Sequence, residues 1–422
     1  MLEKRHPIPV AEAIARIMKL KGQGKTEKIH IDKAYGRVLG EDLTAKHDVP
    51  PFDRSPYDGF AIRAEDTSGA SSSQPVSLKV IEEIGAGSVA SKVPGENEAI
   101  RIMTGAALPK GCDAVVMLEL VQEKEENGQP YITVKRSFQP GTNLSYKGED
   151  AKEGTVLAKK GERINPGVHA LLATFGYEYL QAAVPPKVGI FATGTELLEP
   201  GDALEPGKIR NSNAHMLFAQ VQRAGGEPVL LGKLPDHLET CYKAVKEASQ
   251  QFDLLITTGG VSVGDFDYMP EVYEKLGAEV LFNKVAMRPG SVTTAAHKDN
   301  IVFYGLSGNP SACFTGFELF VRPVIQTRLF SEKPHLKKIQ GRLSEDFAKP
   351  NPFTRFIRSK MSFEKDAVTV APSGFNKSSA VSSLAASDCF IMLPGGTRGF
   401  QRGDLVDVLL HESSEGSQWH WN

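Results

Sequence analysis

Between residues 186 and 330, short apolar segments alternate with longer segments of helical pattern, and this alternation limits the possible folds more than any other feature. The apolar segments read VGIFATG, PVLLGKL, DLLITTGG, AEVLFNKVAM and IVFYGLSG. The segments between them read NAHMLFAQVQRAGG, DHLETCYKAVKEASQQ and DYMPEVYEKLG. Such alternation is typical of βαβ units on a largely parallel sheet. We therefore expect an α/β domain over residues 184–330, whose last helix begins at Asn309 and Pro310.

The rest of the chain predicts further domains, in keeping with its 422 residues. Residues 47–147 alternate in β pattern between turn clusters, which predicts an inserted β-rich domain. Residues 1–46 and 148–183 have helical pattern, and we expect them to form one elongated N-terminal domain. Residues 331–411 contain five β-patterned segments and predict a small C-terminal β domain of barrel type.

Composition argues against several classes of function. The chain is 24% charged with a formal net charge of −2 and has no long basic run, so we expect no nucleic-acid partner. No apolar segment approaches the roughly 18 residues of a membrane span, and the charged N-terminus does not resemble a secretory signal. The four cysteines are far apart and lack metal-binding spacing. We therefore expect a cytoplasmic protein without a membrane partner.

Three of the predicted strands end in turns that carry polar or glycine residues. In open α/β sheets, ligands bind at the carboxyl ends of strands, and a glycine-rich turn before a helix presents N–H groups to an anion. The candidate residues at these ends are Glu196, Gly259, Gly260, Ser262, Gly264, Ser307 and Gly308. Any one turn is explained by backbone geometry alone, but three in one domain favour a phosphate-type ligand.

One of these turns, GVSVG at residues 260–264, also fits the G-x-S-x-G nucleophile elbow of serine hydrolases. A hydrolase would use Ser262 together with a downstream histidine. The histidines available are His297, His335, His411 and His420. The first lies in a polar turn, and the others lie in or beside the C-terminal β domain. Because two aspartates directly after the serine would also crowd a developing oxyanion, the hydrolase is the weaker alternative.

The same two aspartates suit a metal ion. Carboxylate oxygens are hard ligands for Mg²⁺, which commonly bridges one or two carboxylates to phosphate oxygens. We expect Asp267 to bind Mg²⁺ beside the phosphate, with Asp265 or Glu196 as a second ligand. Asp265 alternatively caps the next helix. Asp236 is a further candidate, although together with Glu239 it also fits a helix-capping pattern.

Basic side chains and a second group of polar motifs complete the candidate set. Lys284 and Arg288 stand four residues apart after a strand, where both could reach an anion unless they form only a solvated surface pair. In the β-rich zone, Asp58 lies in PPFDRSPYDGFAIR, whose acids and prolines exceed what a simple turn requires. Further candidates are Thr104 and Gly105 in the same zone and Glu149 and Asp150 directly after it.

Seven motifs occur in the order in which one family has them. They read PFDRSPYDGFAIR, RIMTGAALPKGCDAVV, NLSYKGEDAKEGTVL, ATGTEL, TTGGVSVGDFDYM, MRPG and GLSGNPSACF. The chain thereby resembles the molybdopterin molybdenumtransferases of the bacterial MoeA type, which are also similar to the E domain of gephyrin. The resemblance extends over about residues 8–411. It implies an elongated homodimer of four-domain subunits, whose third domain is similar in fold to molybdopterin adenylyltransferase.

The resemblance also implies a reaction, in which molybdate is inserted into adenylylated molybdopterin and AMP is released with help from Mg²⁺. It implies that Asp58 and Thr104 of one subunit face the third-domain pocket of the other. The residues that it places in or beside that pocket are Glu196, Asp236, Asp267, Lys284 and Arg288, with Arg358 and Ser378 as molybdate contacts. The implied partners are the adenylyltransferase and the proteins that deliver the cofactor to molybdoenzymes.

Several positions depart from the family pattern. Residues 55–61 read SPYDGFA where the family often has SAMDGYA, with the acid and the glycine retained. Ser291 and Val292 stand where the family usually has Lys-Pro, and Ser307 stands where it usually has proline. The loss of a lysine weakens the anion site. A non-catalytic scaffold or a paralogue of altered specificity, for example for tungstate, therefore remains an alternative. A sister adenylyltransferase is disfavoured because the chain has extra domains at both ends of the α/β region.

Overall fold

A computed structural model describes residues 6–20, 22–235, 237–259, 268–364 and 367–411. Its α-helices are α1 (Val10–Met18), α2 (Pro166–Thr174), α3 (Ser212–Arg223), α4 (Leu238–Ala248), α5 (Met269–Leu276), α6 (Pro310–Gly316), α7 (Arg322–Arg328) and α8 (Ser382–Ala385). Short 3-10 helices occupy Ile31–Lys33, Ala64–Thr67 and Leu118–Leu120, and a π-helical turn at Phe317–Val321 joins α6 to α7. Within these described residues, none of the helices combines the length and apolar character required to span a bilayer.

The strands of the N-terminal part are β1 (Thr26–His30), β2 (Leu43–Thr44), β3 (Gly59–Ile62), β4 (Val76–Ile84), β5 (Glu98–Ile102), β6 (Ala114–Met117), β7 (Val121–Glu126), β8 (Gln129–Val134), β9 (Val156–Ala158) and β10 (Tyr179–Ala183). Those of the central part are β11 (Lys187–Thr193), β12 (Leu197–Leu198), β13 (Ile209–Arg210), β14 (Glu227–Leu234), β15 (Leu254–Thr258), β16 (Glu279–Phe282), β17 (Met287–Arg288), β18 (Thr294–Lys298) and β19 (Ile301–Leu306). Those of the C-terminal part are β20 (Lys337–Leu343), β21 (Thr354–Glu364), β22 (Ala367–Pro372), β23 (Cys389–Leu393) and β24 (Leu405–Leu410).

The chain divides into two compact units. The smaller unit comprises Asp42–Lys159 and Asn165–Tyr179. The larger unit comprises the described residues of Met1–Glu41, Lys160–Ile164 and Leu180–Asn422. The four domain boundaries expected from the sequence divide the chain more finely and remain a prediction.

The smaller unit is built on a six-stranded sheet of order β6-β3-β5-β4-β8-β7. Strand β3 shows why the sheet is buried on both faces. Phe60 and Ile62 enter one apolar cluster and Ala61 between them enters another, as the two-residue period of a strand requires. The β texture expected for this part of the chain is therefore confirmed.

The larger unit contains a six-stranded mixed sheet of order β14-β11-β15-β19-β18-β16. The first four strands are parallel, whereas β18 is antiparallel to β19 and β16 is antiparallel to β18. The segment AEVLFNKVAM, expected as one strand, forms β16 and the separate strand β17. Strand β18 was not expected from the sequence. The expected α/β architecture is confirmed, with two antiparallel strands at one edge.

Helices cover both faces of this sheet. On one face, Leu217 of α3 and Phe317 after α6 join an apolar cluster with Ile256 of β15. On the other face, Val245 of α4 and Val272 of α5 join a second cluster. Helix α1 belongs to the same unit, because its Ala13 and Ile17 are buried in the first of these clusters. This arrangement leaves the carboxyl ends of β11, β15 and β19 side by side at one edge of the sheet.

The C-terminal part forms a closed five-stranded barrel, as the sequence predicted. The strands pair in the order β21-β22-β20-β24-β23, and β23 also pairs with β21, which closes the barrel. Ile357, Val370, Ile391 and Val408 lie in its core. Strand β17 of the central part pairs with β21, so the connection between β16 and β18 contacts the barrel directly.

Candidate functional site

The ends of three neighbouring parallel strands form the base of the candidate site. The order β14-β11-β15 places the second strand in sequence, β14, on the opposite side of β11 from the third, β15. The order of the parallel strands therefore reverses between β11 and β15. Ligands of doubly wound α/β folds bind at such switch points. Thr193, Thr258 and Ser307 are the polar residues at or just beyond the three ends. The sequence prediction that these ends lie together is confirmed.

Two glycines let the turns at these ends approach one another. Gly259 has a φ of +89°, and a Cβ there would lie 2.6 Å from the carbonyl oxygen of Thr193. A Cβ on Gly308 would lie 3.5 Å from the Cα of Gly259. Because only glycine combines this left-handed conformation with such close approach, the turn after β15 requires Gly259. Its backbone N–H donates to the carbonyl oxygen of Leu306 at 3.0 Å, which ties the turn to β19.

Asn213, which the sequence reasoning missed, holds these turns together from the first turn of α3. Its Nδ2 donates to the carbonyl oxygen of Gly308 at 2.9 Å and to Thr258 Oγ1 at 3.0 Å. Asn211, whose side chain accepts from the N–H of Ala214 at 3.2 Å, caps the same helix. The side chain of Asn213 is buried, and its Oδ1 has no partner among the described residues. The only sequence signal was a second asparagine directly inside a helix start.

A cleft of about 1320 Å³ opens over these turns and is lined by residues of both the α/β domain and the barrel. Among the described residues that line it, basic side chains outnumber acidic ones. The basic side chains that line it are Arg210, Arg288, Lys349, Arg355 and Arg358. Glu196 is the acidic residue that lines it within the same described part of the chain. The cleft is therefore suited to a ligand that carries several negative charges.

Strand pairing places two of these arginines beside each other. In the parallel ladder between β17 and β21, Arg288 lies opposite Arg355. Arg288 is exposed and Arg355 is partly buried. Burial lowers the pKa of Arg355, and the positive charge of Arg288 lowers it further. Sequence reasoning identified Arg288 but not Arg355, because the pairing joins segments that are more than sixty residues apart.

Arg358 has a different environment. It is only 2% exposed, and burial lowers the pKa of its guanidinium group. Its Nε donates to Ser383 Oγ at 3.1 Å, and its Nη2 donates to the carbonyl oxygens of Phe375 and Lys377 at 3.3 Å each. The side chain therefore fixes the loop that carries Ser378 to the edge of the cleft.

The start of α6 is bound to the same loop. Ser311 donates its backbone N–H to the carbonyl oxygen of Ser378 at 3.0 Å and its hydroxyl to that of Ala380 at 2.8 Å. Pro310 before it has no N–H to donate. Fewer N–H groups are therefore available to an anion at this helix start than the sequence predicted, because the N–H of Ser311 already has a partner in the protein. Ser307 and Gly308 do line the cleft, as expected.

The expected metal ligands are described only in part. Asp267, Asp265, Asp236 and the residues Gly260, Ser262 and Gly264 lie outside the described residues. Next to Asp236, His237 caps α4 by accepting from the N–H of Thr240. Glu196 is exposed and lines the cleft after β11. Among the described residues, no group of three or more histidine, cysteine or acidic side chains is placed to hold a metal ion.

Lys284 is not among the described residues that line the cleft. Its carbonyl oxygen accepts from the N–H of Ile8 at 3.1 Å, and Ile8 bridges to the next residue, Val285. Of the two basic residues paired in the sequence prediction, the structure therefore brings only Arg288 to the cleft.

The candidates in the smaller unit form a compact pair. Asp58 Oδ1 accepts from the backbone N–H and from the hydroxyl of Thr104, both at 2.7 Å. These hydrogen bonds hold the pKa of the Asp58 carboxyl below its ordinary value. Gly105, with a φ of +82°, turns the chain directly after the pair. Asp150 is exposed, and its backbone N–H donates to the carbonyl oxygen of Val49 at 3.0 Å.

The histidines proposed for a hydrolase do not reach the cleft in the described part of the chain. His297 lies on β18 opposite Val302, at the amino end of β19, and contacts Glu279 at 2.9 Å. His411 is buried against the rings of Phe314 and Phe390. His420 lies outside the described residues. These positions count against a serine hydrolase that uses Ser262.

Comparison with known proteins gives consistent matches along the chain. Residues 8–176 match the MoeA N-terminal region (domain I and II), residues 189–327 a probable molybdopterin binding domain, and residues 340–411 the MoeA C-terminal region (domain IV). The chain is 57% identical to the molybdopterin molybdenumtransferase of Bacillus subtilis (strain 168), over 100% of this chain and 98% of that protein. It is 50% identical to that of Staphylococcus aureus (strain Mu50), over 99% of each.

Solved structures agree with these matches. A molybdopterin biosynthesis MoeA protein from Pyrococcus horikoshii superimposes with a TM-score of 0.81 at 33% identity, over 96% of this chain and 100% of that one. A second crystal structure of such a protein gives a TM-score of 0.84 at 32% identity, over 97% and 100%. The resemblance seen in the seven sequence motifs is confirmed, and the chain belongs to the MoeA family of molybdopterin molybdenumtransferases, enzymes of molybdenum cofactor biosynthesis.

Proposed function

We propose that the chain inserts molybdate into adenylylated molybdopterin and releases AMP. The observation that carries this proposal is the charge of the cleft, where five basic side chains and one acidic side chain line the described wall. Molybdate is a tetrahedral dianion, and an adenylylated pterin brings phosphate charges of its own. Both substrates require cationic and N–H donors at close range, which the cleft provides.

In this reaction the protein has to position the two substrates and neutralise their negative charge. Arg288 supplies a planar guanidinium group whose N–H donors can bind two oxygens of an oxyanion. The turns at Gly259 and Gly308 carry no side chain, so a phosphate group can approach their backbone closely. Donors held in place before the substrates arrive need no rearrangement during the reaction, and this makes them effective in catalysis.

Mg²⁺ fits this proposal through one described residue. Glu196 is an exposed carboxylate in a cleft that is otherwise basic, so it is the described side chain suited to hold a hard cation beside phosphate oxygens. Bound there, Mg²⁺ would withdraw charge from the phosphoanhydride. Asp267 is proposed as the second ligand from the sequence alone.

The active unit is proposed to be a homodimer with shared sites, in which Asp58 and Thr104 of one copy serve the cleft of the other. Their mutual hydrogen bonds, which hold an exposed carboxylate in place, support a polar role rather than a role in the core. The proposed partners of the dimer are an adenylyltransferase that supplies the intermediate and proteins that accept the finished cofactor.

A turnover assay tests the proposed reaction. Purified full-length chain is mixed with adenylylated molybdopterin and Mg²⁺, with or without molybdate, and AMP is separated by chromatography. We expect molybdate-dependent release of AMP, a loss of it with Arg288→Gln by about 100-fold, and unchanged rates with Arg342→Gln. Arg342 is an exposed barrel arginine that donates to the carbonyl oxygen of Gly403 and does not line the cleft.

Two results would contradict the proposal. One is AMP release that is the same with and without molybdate, which would indicate plain hydrolysis. The other is no turnover at all by the wild-type chain, which would favour a scaffold that binds molybdopterin. Repeating the assay with tungstate in place of molybdate decides whether Ser291 and Ser307, both in the cleft wall, accompany an altered metal preference.

A further inference from the structure

We propose that Arg355 joins Arg288 in a two-guanidinium subsite that holds a tetrahedral oxyanion in the cleft. The inference rests on the proposed function for the identity of that oxyanion, which is either molybdate or a phosphate group of the adenylylated pterin. Arg355 is not among the residues predicted for the site from the sequence, although it lies three positions before the predicted Arg358. It is assigned here from strand pairing, from its hydrogen bonds and from the charges around it.

The backbone fixes the spacing of the two arginines. Because β17 and β21 are neighbouring parallel strands, paired residues of the two lie next to each other in the ladder, and Arg288 pairs with Arg355. Both line the same cleft. Their common position is set by two different segments, one from the α/β domain and one from the barrel, so the subsite exists only when these two parts are joined.

Arg355 is held without being neutralised. Its Nη1 donates to Oδ1 of Asn351 at 3.2 Å, and Asn351 in turn donates to Thr397 Oγ1 at 3.1 Å. Its guanidinium carbon lies 5.8 Å from the ring centre of Phe347. A neutral amide and a ring orient the group, and the other N–H donors of its planar fork remain for a ligand.

The charges at the pair indicate an anion. In the described part of the chain, neither Arg288 nor Arg355 forms an ion pair with a carboxylate. Like charges that face each other across neighbouring strands are destabilising. The repulsion is visible in Arg355, whose pKa is lowered by burial and by Arg288. An oxyanion between the two groups would relieve this repulsion, which no described side chain does.

Comparison with Arg358 sharpens the assignment. Arg358 lies three residues further along β21, but its guanidinium group donates to Ser383 and to the carbonyl oxygens of Phe375 and Lys377. It is a positioning residue for the loop that carries Ser378. Arg355 keeps the donors that Arg358 uses internally, and the fork geometry of two guanidinium groups matches the oxygens of a tetrahedral dianion.

The test measures oxyanion binding directly. Full-length wild type, Arg355→Gln and Arg355→Lys are dialysed against molybdate, and bound molybdenum is determined by elemental analysis; AMP binding is titrated in parallel. The matched control is Arg342→Gln, and equal thermal midpoints establish folding. For Arg355→Gln we expect molybdate binding to weaken by about tenfold or more, with partial recovery in Arg355→Lys, and AMP binding to stay unchanged. In turnover, the KM for molybdate rises while kcat changes little.

Each outcome decides a specific point. If Arg355→Gln weakens AMP binding and leaves molybdate binding intact, the subsite holds a phosphate group and not molybdate. If both ligands bind Arg355→Gln as tightly as they bind Arg342→Gln, the subsite is wrong. If the wild-type chain binds molybdate through Arg355 but never releases AMP, the proposed reaction is refuted and the subsite is not. The failure of one proposal can therefore be distinguished from the failure of the other.

Discussion

The side-chain amide of Asn213 donates a hydrogen bond of 2.9 Å to the carbonyl oxygen of Gly308, joining the first turn of α3 to the turn after β19. The same Nδ2 group reaches Thr258 Oγ1 at the end of β15. One buried side chain therefore connects three elements at the base of the cleft. This connection explains how turns on separate strands keep a common geometry.

Replacing this asparagine tests that role. In Asn213→Ala the buried hydroxyl of Thr258 and the carbonyl oxygen of Gly308 each lose a hydrogen-bond donor, so we expect the free energy of unfolding to fall by about 1–3 kcal/mol. AMP binding should weaken as well, because the turn at Ser307 and Gly308 is no longer held. Urea denaturation and AMP titration measure the two effects. Gln222→Ala, on the exposed side of the same helix, is the control, and equal behaviour of both variants would refute the role.

Gly259 and Gly232 allow backbone strain to be separated from steric overlap. Their φ angles are +89° and +85°, but a Cβ on Gly259 would lie 2.6 Å from a carbonyl oxygen, whereas one on Gly232 would meet nothing within 4 Å. We expect Gly232→Ala to cost about 1–2 kcal/mol of unfolding free energy from the left-handed conformation alone. Gly259→Ala should cost clearly more and impair AMP binding. If chemical denaturation shows the same loss of unfolding free energy for both variants, the close approach to Thr193 adds no cost of its own.

Local patterns in the sequence were sufficient for much of the fold. The α/β sheet, the barrel and the edge where the cleft lies were predicted from the apolar runs of β11, β15 and β19, from the five β-patterned segments of the barrel, and from the turns after the three parallel strands. These features depend on residues that are close in sequence, and burial on both faces leaves an uninterrupted apolar run in each parallel strand.

Features that depend on contacts between residues far apart in the sequence could not be predicted from local patterns. Strand β18 has the sequence TAAHK, which carries little apolar pattern and is defined by pairing with β16 and β19. AEVLFNKVAM reads as one strand, but its last residues turn away to pair with β21 of the barrel. Arg355 enters the site through that pairing, and Asn213 enters it through side-chain hydrogen bonds to distant turns. Neither role could be predicted from neighbouring residues in the sequence.

His411 gives a prediction on pH. It is 7% exposed, lies against Phe314 and Phe390, and has its pKa lowered to about 3 by burial and by the nearby positive charges of Arg223 and Arg322. Glu318, which is also buried, contacts Arg223. Because the native state keeps His411 neutral, the unfolded chain binds one more proton as the pH falls below 6.5.

The sign of the effect follows directly. Stability is lost as the pH falls from 6.5 towards 3, with a slope from this residue of about 1.4 kcal/mol per pH unit. In His411→Leu this contribution disappears, so the free energy of unfolding should fall less steeply between pH 6.5 and pH 4.5 than in wild type. Urea denaturation at several pH values measures the slope. His215→Gln, at an exposed position of α3, should retain the wild-type slope; an unchanged slope in His411→Leu would refute the assignment.

The pair formed by Asp58 and Thr104 leads to the last prediction. Thr104 donates two hydrogen bonds of 2.7 Å to one carboxylate oxygen, leaving the other oxygen of Asp58 for a substrate or a partner surface. Asp58 belongs to the smaller unit, whereas Arg288 belongs to the larger one. If the sites of a homodimer are shared, these two residues serve the same cleft from different copies of the chain.

Mixing two inactive variants decides whether the sites are shared. We expect Asp58→Asn and Arg288→Gln each to abolish molybdate-dependent AMP release. In a mixed dimer with shared sites, one cleft combines both substitutions and the other has neither. Co-expression at equal amounts should therefore restore about a quarter of the wild-type activity, since half of the dimers are mixed and each has one intact site. If each chain instead uses its own Asp58, every cleft carries one substitution and the mixture stays inactive. A mixture of two Asp58→Asn chains with different affinity tags is the control for the mixing procedure, and it should show no activity under either arrangement.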